Sequence, residues 1–393
     1  MRIAYIFDQI LPNSGTDTEQ VLSTLSALSR QGVDVTLVLP RRPLKLAATA
    51  AELREYYQVK GDFKVVRLRS AFPSNRVFEK AGHAVRASWH RELAGFDLLY
   101  TRNIPALCTL LAAGHPVVYE TYRPWPKQYP ALAALFKVAL TRPNFVGMVL
   151  HSAYARDTYA ALGVDPASLE VVHNGYDPAR FTPALTTTEA RAKLGLPLER
   201  TTLTYVGRIN EGKGMGVVLD MAAATPDLLY LLVGSEGDGT IEQRAAGMEN
   251  VRVFPWQTFE DVPTYLFAAD ILLIPPSSIP LEGVGNTVLP MKLFIYLAAG
   301  RTILGPRSPD TAELLEHDVN SWLVPPDDTS TIVAQLKALT SNPEQLARLG
   351  AAARATGEAL TWDARAERIR TFIERRLPSA RRGWTSKVLR RFV

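Results

Sequence analysis

Residues 202–214 read TLTYVGRINEGKG. An apolar, β-type run gives way at Gly207 to a turn that holds Arg208, Lys213 and two further glycines, and a helical pattern opens near Gly216. An arginine and a lysine this close repel each other unless an anion lies between them, and glycines let backbone N–H groups approach such an anion. Strand, basic glycine turn and helix, in that order, are the parts of a phosphate-binding βα unit. Arginine engages two phosphate oxygens through parallel hydrogen bonds, while lysine acts as a point charge, so the pair suits a diphosphate. The other reading of the same residues is a solvated basic turn.

The pattern around this stretch repeats along the chain. Short apolar runs at IAYIF (3–7), VDVTLVLP (33–40), FKVVRLR (63–69), DLLYTR (97–102), PVVYE (116–120) and FVGMVL (145–150) alternate with helical stretches such as 17–30, 128–140 and 153–162. The alternation pauses at VVHNGYDPARFTPALTTT (171–188), then resumes with TLTYVG, LLYLLVG (228–234), VRVF (251–254), DILLIPP (270–276), RTILGP (301–306) and SWLVP (321–325). Alternating strands and helices predict parallel sheets of the α/β class. Two doubly wound Rossmann-like domains are expected, 1–178 and 179–360, joined near 175–190. A closing helix at 361–377 is expected to return to the first domain, ahead of a basic tail at 378–393.

A length of 393 residues accommodates two or three such domains, and 47% hydrophobic with 21% charged residues is an ordinary globular composition. No apolar stretch reaches the ~18 residues of a membrane span. The opening MRIAYIFDQI has too short an apolar core for a signal peptide and reads as a buried strand. One cysteine, Cys108, rules out an internal disulfide and fits a reducing cytosol. The formal charge of +5 resides in the tail, where Arg381, Arg382, Lys387, Arg390 and Arg391 stand without an acid. The body is formally neutral, which argues against nucleic acid as a partner. Drawn as a helix, 384–393 puts Trp384, Val388, Leu389 and Phe392 on one side and Lys387, Arg390 and Arg391 on the other, the pattern of a short interfacial helix on an anionic membrane. A disordered or docked basic end is the plainer alternative.

Ligands of open α/β sheets sit beyond the carboxyl ends of strands. The second loop of interest is therefore SSIPLEGVGNTVLPMKLFIYLAAG (277–300), which follows DILLIPP. Glu282 stands there among Gly283 and Gly285, with Asn286 and Thr287 next, and a helical pattern from Met291 to Ala299 stops at Gly300. A carboxylate in a glycine loop accepts hydrogen bonds from sugar hydroxyls, while the neighbouring N–H groups face a phosphate; an ordinary surface glutamate is the competing reading. GSEGDG (234–239) has G-x-x-G-x-G spacing, which is not the dinucleotide fingerprint.

These residues carry a resemblance. GRINEGKG resembles the GR-x-x-x-x-KG signature of glycosyltransferase family 4, retaining enzymes of the GT-B fold. HNGYDPARF (173–181) is similar to that family's interdomain segment, LLVGSEGDG to its strand and glycine turn, EGVGN to its donor loop, and MKLFIYLAAG to the helix that follows. PNSGTDTEQVLSTLSALSRQGVDVTLV is similar to its N-terminal glycine loop, helix and second strand. The resemblance spans about residues 1–377. It implies two Rossmann-like domains facing across a cleft, the second holding a nucleoside-diphosphate sugar and the first an acceptor. Arg208 and Lys213 would neutralise the donor diphosphate and Glu282 would bind hydroxyls of the donor sugar. Gly207, Gly283, Val284, Gly285, Asn286 and Thr287 would complete the donor site. Gly15, Tyr122 and His151 would lie on the acceptor or donor-sugar side. The nucleotide sugar is a substrate, no cofactor is expected, and two fixed cations make a metal unnecessary; no Asp-x-Asp pair or HExxH is present. A glycan or lipid-linked acceptor at the inner face of a membrane, in cell-envelope polysaccharide synthesis, is the expected setting. A sugar-nucleotide epimerase of the same fold and a non-catalytic relative are the alternatives.

The sequence departs from that family in two places. The family carries a second glutamate eight positions after the first, contacting ribose. Here Glu282 plus eight is Pro290, and alignment on the terminal LAAG puts Ile295 at that position. Many members also have a histidine after the strand that PVVYE forms, where this chain has Thr121, Tyr122 and Arg123.

Overall fold

The computed structural model describes residues 1–42, 47–70, 75–282, 289–309 and 311–389, with Glu282 and residues 381–389 described by their backbone alone. The chain forms two compact units, one from Met1–Asn174 together with the segment from Trp362 onward, the other Gly175–Thr361.

The first unit holds seven strands: β1 (Arg2–Ile6), β2 (Asp34–Arg41), β3 (Lys64–Arg69), β4 (Leu98–Thr101), β5 (Val117–Thr121), β6 (Phe145–Leu150) and β7 (Leu169–Val171). Their order is β3-β2-β1-β4-β5-β6-β7, parallel throughout. The second holds six: β8 (Thr202–Val206), β9 (Leu229–Ser235), β10 (Val251–Pro255), β11 (Ile271–Leu273), β12 (Thr302–Pro306) and β13 (Trp322–Val324). These run β10-β9-β8-β11-β12-β13, again parallel. Helices cover both faces of the second sheet. Along β9, Leu229, Leu231 and Val233 enter one apolar cluster while Tyr230 and Leu232 enter the other, which is why the strand reads as an unbroken hydrophobic run rather than an alternating one. Each sheet reverses its winding once, between β1 and β4 and between β8 and β11, and those crevices are where open α/β sheets take ligands. The basic turn after β8 and the loop after β11 border the second of them.

Three local features differ from the expectation. The helix expected over 128–140 is two pieces, Trp125–Gln128 and Leu132–Leu140. Pro130 lies between them, lacks an N–H and biases its predecessor out of the helical region. Strand β7, Leu169–Val171, is not among the expected strands; it ends at the first residue of the stretch read as connector and has only three residues to betray it. The closing helix does not stop at residue 377: it runs Trp362–Leu389, straight through Pro378. Proline removes a single backbone donor, and the alanine, arginine, lysine and leucine around it are good helix formers.

That helix packs on the Thr16–Arg30 helix and on β6. Gly147 of β6 makes room for it, since a Cβ there would lie 2.2 Å from the Phe372 ring. The chain enters and leaves the second unit side by side: Tyr176 N–H donates to Leu360 O at 3.0 Å.

Candidate functional site

Strand β8 ends in a backbone that only glycine accepts comfortably. Gly207 has φ 142° and Gly234, at the end of β9, has φ 118°. A Cβ on Gly234 would come within 2.5 Å of the Gly207 carbonyl oxygen, so the two strand ends pack backbone to backbone. The Gly207 N–H donates to Val233 O at 2.9 Å. This glycine therefore supplies space rather than the ligand-facing N–H expected of it.

Arg208 follows, half-exposed, its Nε 3.4 Å from Glu236 Oε1. A 3-10 turn, Glu211–Lys213, brings Lys213 to the surface of the same corner. Gly214 then adopts the left-handed conformation at φ 71°, and a Cβ there would meet Ser277 Cβ at 2.6 Å. The turn thus seats on the segment that follows β11, and the Met215–Ala224 helix starts from it.

A third cation, which the sequence reading missed, completes the corner. Lys292 opens the Lys292–Ala299 helix. Its Nζ lies 3.6 Å from the centroid of the buried Tyr205 ring, and 3.0 Å from where a Gly207 Cβ would stand. Among the described residues no carboxylate pairs with it and no acceptor takes its protons. Burial, and then the nearby Lys213 charge, push this ammonium well below the ordinary lysine range. The signal was present in MKLFIYLAAG, where a single charge interrupts an otherwise apolar helix.

The short Ile279–Glu282 helix leads into the loop. The Glu282 side chain, and Gly283, Val284, Gly285, Asn286 and Thr287 entirely, lie outside the described residues. Of the two positions that lack the second glutamate, Pro290 caps the following turn, its carbonyl accepting from Leu293 N–H at 2.9 Å. Ile295 packs, partly buried, against an apolar cluster.

In the first unit, Gly15 stands ahead of the Thr16–Arg30 helix with φ −68°, a conformation open to any residue. Its N–H is held by Asn13 Oδ1 at 2.8 Å, and a Cβ would come within 2.7 Å of that same oxygen. The glycine is required by the asparagine that braces the loop. Tyr122 is half-buried under Arg102, whose guanidinium carbon lies 5.6 Å from the ring centroid. His151 is buried and its Nε2 donates to Glu120 Oε1 at 2.6 Å.

Glu120 is the centre of a buried network that sequence reasoning did not find. Besides His151 it accepts from Gln20 Nε2 at 2.7 Å and from an Arg365 terminal nitrogen at 2.6 Å. Arg365 also donates to the Val172 and His173 carbonyls at 2.6 and 2.8 Å, and through Nε to Thr24 Oγ1 at 3.1 Å. Arg102 donates to Gln20 Oε1. Burial alone would raise the Glu120 carboxyl; the Arg365 charge, the His151 bond and Arg102 outweigh it and hold the group below the usual carboxylate range. Burial pulls the His151 imidazole down to about 4, against the bond to Glu120. His151 is thus a neutral member of a structural network.

Two parallel, doubly wound units with a cationic corner at the switch point of the second define a two-domain α/β protein of the GT-B fold, and the solved structures that resemble it have that fold. The chain is similar to Anabaena Alr3699/HepE, solved in complex with UDP and glucose, with a TM-score of 0.71 at 17% identity over 95% of this chain and 99% of that one. It is also similar to sucrose-phosphate synthase from Thermosynechococcus elongatus, at 0.74 and 19% over 95% and 98%. Residues 186–356 match the family model for glycosyl transferases group 1, and residues 19–180 that for glycosyltransferase family 4. The chain belongs to the group 1 glycosyltransferases. Among curated relatives, D-inositol 3-phosphate glycosyltransferase of Mycobacterium sp. (strain KMS) is 30% identical over 175 residues, 40% of this chain and 38% of the relative. The match therefore spans under two fifths of that relative's length.

Proposed function

We propose that the protein is a glycosyltransferase that moves a sugar, of hexose type, from a nucleoside diphosphate to a hydroxyl acceptor. The observation that carries this reading is the gathering of Arg208, Lys213 and Lys292 at the carboxyl end of β8 with no carboxylate beside Lys292 among the described residues. As the bond from the anomeric carbon to the diphosphate breaks, its electron pair leaves on phosphate oxygen. Fixed cations aimed at that charge lower the barrier, each on the scale of ~3 kcal/mol for a lost oxyanion donor. The acceptor hydroxyl adds to the anomeric carbon and gives its proton to the departing phosphate oxygen. By position in the sequence, Glu282 binds hydroxyls of the donor sugar, and transfer goes with retention. The three side-chain cations do this work without a metal.

The acceptor in this reading is a cell-envelope glycan or lipid-linked glycan at a membrane's inner face. No helix of the described residues is long and apolar enough to cross a membrane, so attachment would be peripheral. The basic tail supports it, as does the Arg76–Ser88 helix, which leaves Val77 and Val85 exposed, with Trp89 at its end 76% exposed and Arg86 and Arg91 alongside.

A thermal-shift screen of UDP, GDP and ADP and their common sugar conjugates tests the donor assignment. One base series raises Tm, and its sugar conjugate is consumed only when a hydroxyl acceptor is present. No stabilisation by any member would overturn the reading, and turnover with no acceptor would replace it with epimerase chemistry.

A further inference from the structure

We propose that Trp256 is the platform on which the base of the nucleoside diphosphate stacks. The proposal rests on the diphosphate reading above and adds to it the side of the site on which the nucleoside lies.

The order of the strand ends sets the direction. A sugar nucleotide is linear, with the diphosphate between the sugar and the nucleoside. In the second sheet β8 stands between β11 and β9, and β10 follows β9 at the edge. Arg208 and Lys213 belong to the turn after β8. The segment after β11 seats on that turn, where a Cβ on Gly214 would meet Ser277, and it runs on into the Ile279–Glu282 helix. With the donor sugar read at Glu282, the sugar occupies the β11 side of the cations. The nucleoside is left the β9 and β10 side.

Trp256 stands on that side. It is the first residue after β10, and its N–H donates to the carbonyl of Ser235, the last residue of β9, at 3.0 Å. Glu236 comes next in the chain after Ser235 and pairs with Arg208. Basic turn, β9 turn and tryptophan thus follow one another along the carboxyl edge of a single unit. Neighbouring strands lie ~4.8 Å apart, so the end of β10 is about 10 Å from that of β8, a gap of the size that a ribose bridges between phosphate and base.

The ring is held in place and left open. Trp256 is 46% exposed, in a turn that reads PWQTFED. Phe259 meets it edge to face, with ring centroids 6.0 Å apart and planes at 83°. Phe259 in turn lies under the Arg180 guanidinium, whose carbon is 4.9 Å from the ring centroid. Gln257 Nε2 donates to Pro255 O at 2.9 Å, and Thr258 Oγ1 to Asp261 Oδ2 at 2.6 Å, so hydrogen bonds brace the turn on both sides of the indole. A large apolar ring kept in water by a braced turn forgoes the gain of burial. A flat ligand laid on it recovers that gain, and every base has a π-face to offer.

Calorimetry and tryptophan fluorescence on the full chain test this with UDP, GDP, ADP and inorganic pyrophosphate, the last a diphosphate with no base. Trp256→Ala is expected to weaken the nucleotide that binds best about tenfold or more, the scale of one lost stacking contact, and to leave pyrophosphate binding unchanged. Trp256→Phe keeps an aromatic face and with it most of the nucleotide affinity. It removes the quenching of indole emission that the nucleotide, and not pyrophosphate, causes in the parent chain, and this keeps the test decisive should the alanine variant fold poorly. Unchanged nucleotide affinity in Trp256→Ala, a loss that pyrophosphate shares, or quenching that survives in Trp256→Phe would overturn the proposal while leaving the diphosphate site standing. A chain that binds none of the four would overturn the diphosphate reading and the proposal with it.

Discussion

An Arg365 terminal nitrogen lies 2.6 Å from Glu120 Oε1, and both side chains are shut off from solvent, at 1% and 0% exposure. The two residues are 245 positions apart. One sits in β5 and the other in the first turns of the closing helix, so this contact fastens the returning end of the chain to the sheet of the first unit. Removing one member of a buried pair leaves an uncompensated charge, which costs about 3–5 kcal/mol. Arg365→Met is expected to lower stability by that amount, and Glu120→Gln by somewhat less, because Gln20 and His151 still find a carboxamide oxygen. Urea unfolding followed by the fluorescence of Trp362 measures both. A loss below about 1 kcal/mol for Arg365→Met would mean that none of the Arg365 bonds, to the carboxylate, to Thr24 or to the two carbonyls, holds the helix, which apolar packing then secures.

The same network predicts an acid limit. Folded His151 titrates at about 4 against an ordinary 6.5, so between those values the unfolded chain binds the proton and the folded one does not. Stability from this group is full above 6.5 and is lost as pH falls toward 4, up to about 3 kcal/mol. Glu120, held below its ordinary 4.5, acts in the same direction at lower pH. His151→Gln keeps a donor to Glu120 but does not titrate. It should flatten the decline between pH 6.5 and 4 and leave the steeper loss beneath it. Parallel acid profiles in the two proteins would show that the histidine is already charged in the fold.

Much of this architecture was legible in the sequence, for a physical reason. Parallel strands buried on both faces are short, uncharged and rich in β-branched and aromatic residues, so FVGMVL and TLTYV stand out on composition alone. The GRINEGKG turn was legible because glycines and cations between a strand and a helix have few other uses. Glu120 was not, although a carboxylate in PVVYE is out of place in a buried strand: its partners come from four distant segments, and only the fold brings them together. Lys292 failed for the opposite reason. Its signal was local, a lone charge in an apolar helix, but it was absorbed into a match to a helix pattern.

Ile295 tests one departure from the family pattern. Its side chain packs against the apolar cluster that includes Leu293, Phe294 and Leu297. Restoring the family's carboxylate as Ile295→Glu should lower stability by about 1–3 kcal/mol. It should not improve nucleotide affinity, because the side chain at this position is turned to the core. Denaturation and a nucleotide titration on one preparation check both halves. A variant that folds normally and binds several-fold tighter would place the ribose against this helix and make the isoleucine a true loss of function.

Arg208 and Glu236 set the last expectation. Both are about half-exposed and their charged atoms lie 3.4 Å apart, a surface pair worth less than about 1 kcal/mol to the fold. Arg208→Ala and Lys213→Ala should therefore leave stability unchanged while lowering kcat/KM about a hundredfold, the ~3 kcal/mol of one lost group aimed at leaving-group charge. Glu236 competes with that anion for the guanidinium. Glu236→Gln frees Arg208 without removing it, and is expected to tighten nucleoside diphosphate binding about three- to fivefold, less at high salt because the competing carboxylate is screened. Combined with Arg208→Ala the gain should vanish, since the two act through one contact. Titration of the single and double variants with the same nucleotide decides it: a gain from Glu236→Gln that persists without Arg208 would mean that the carboxylate repels the ligand directly.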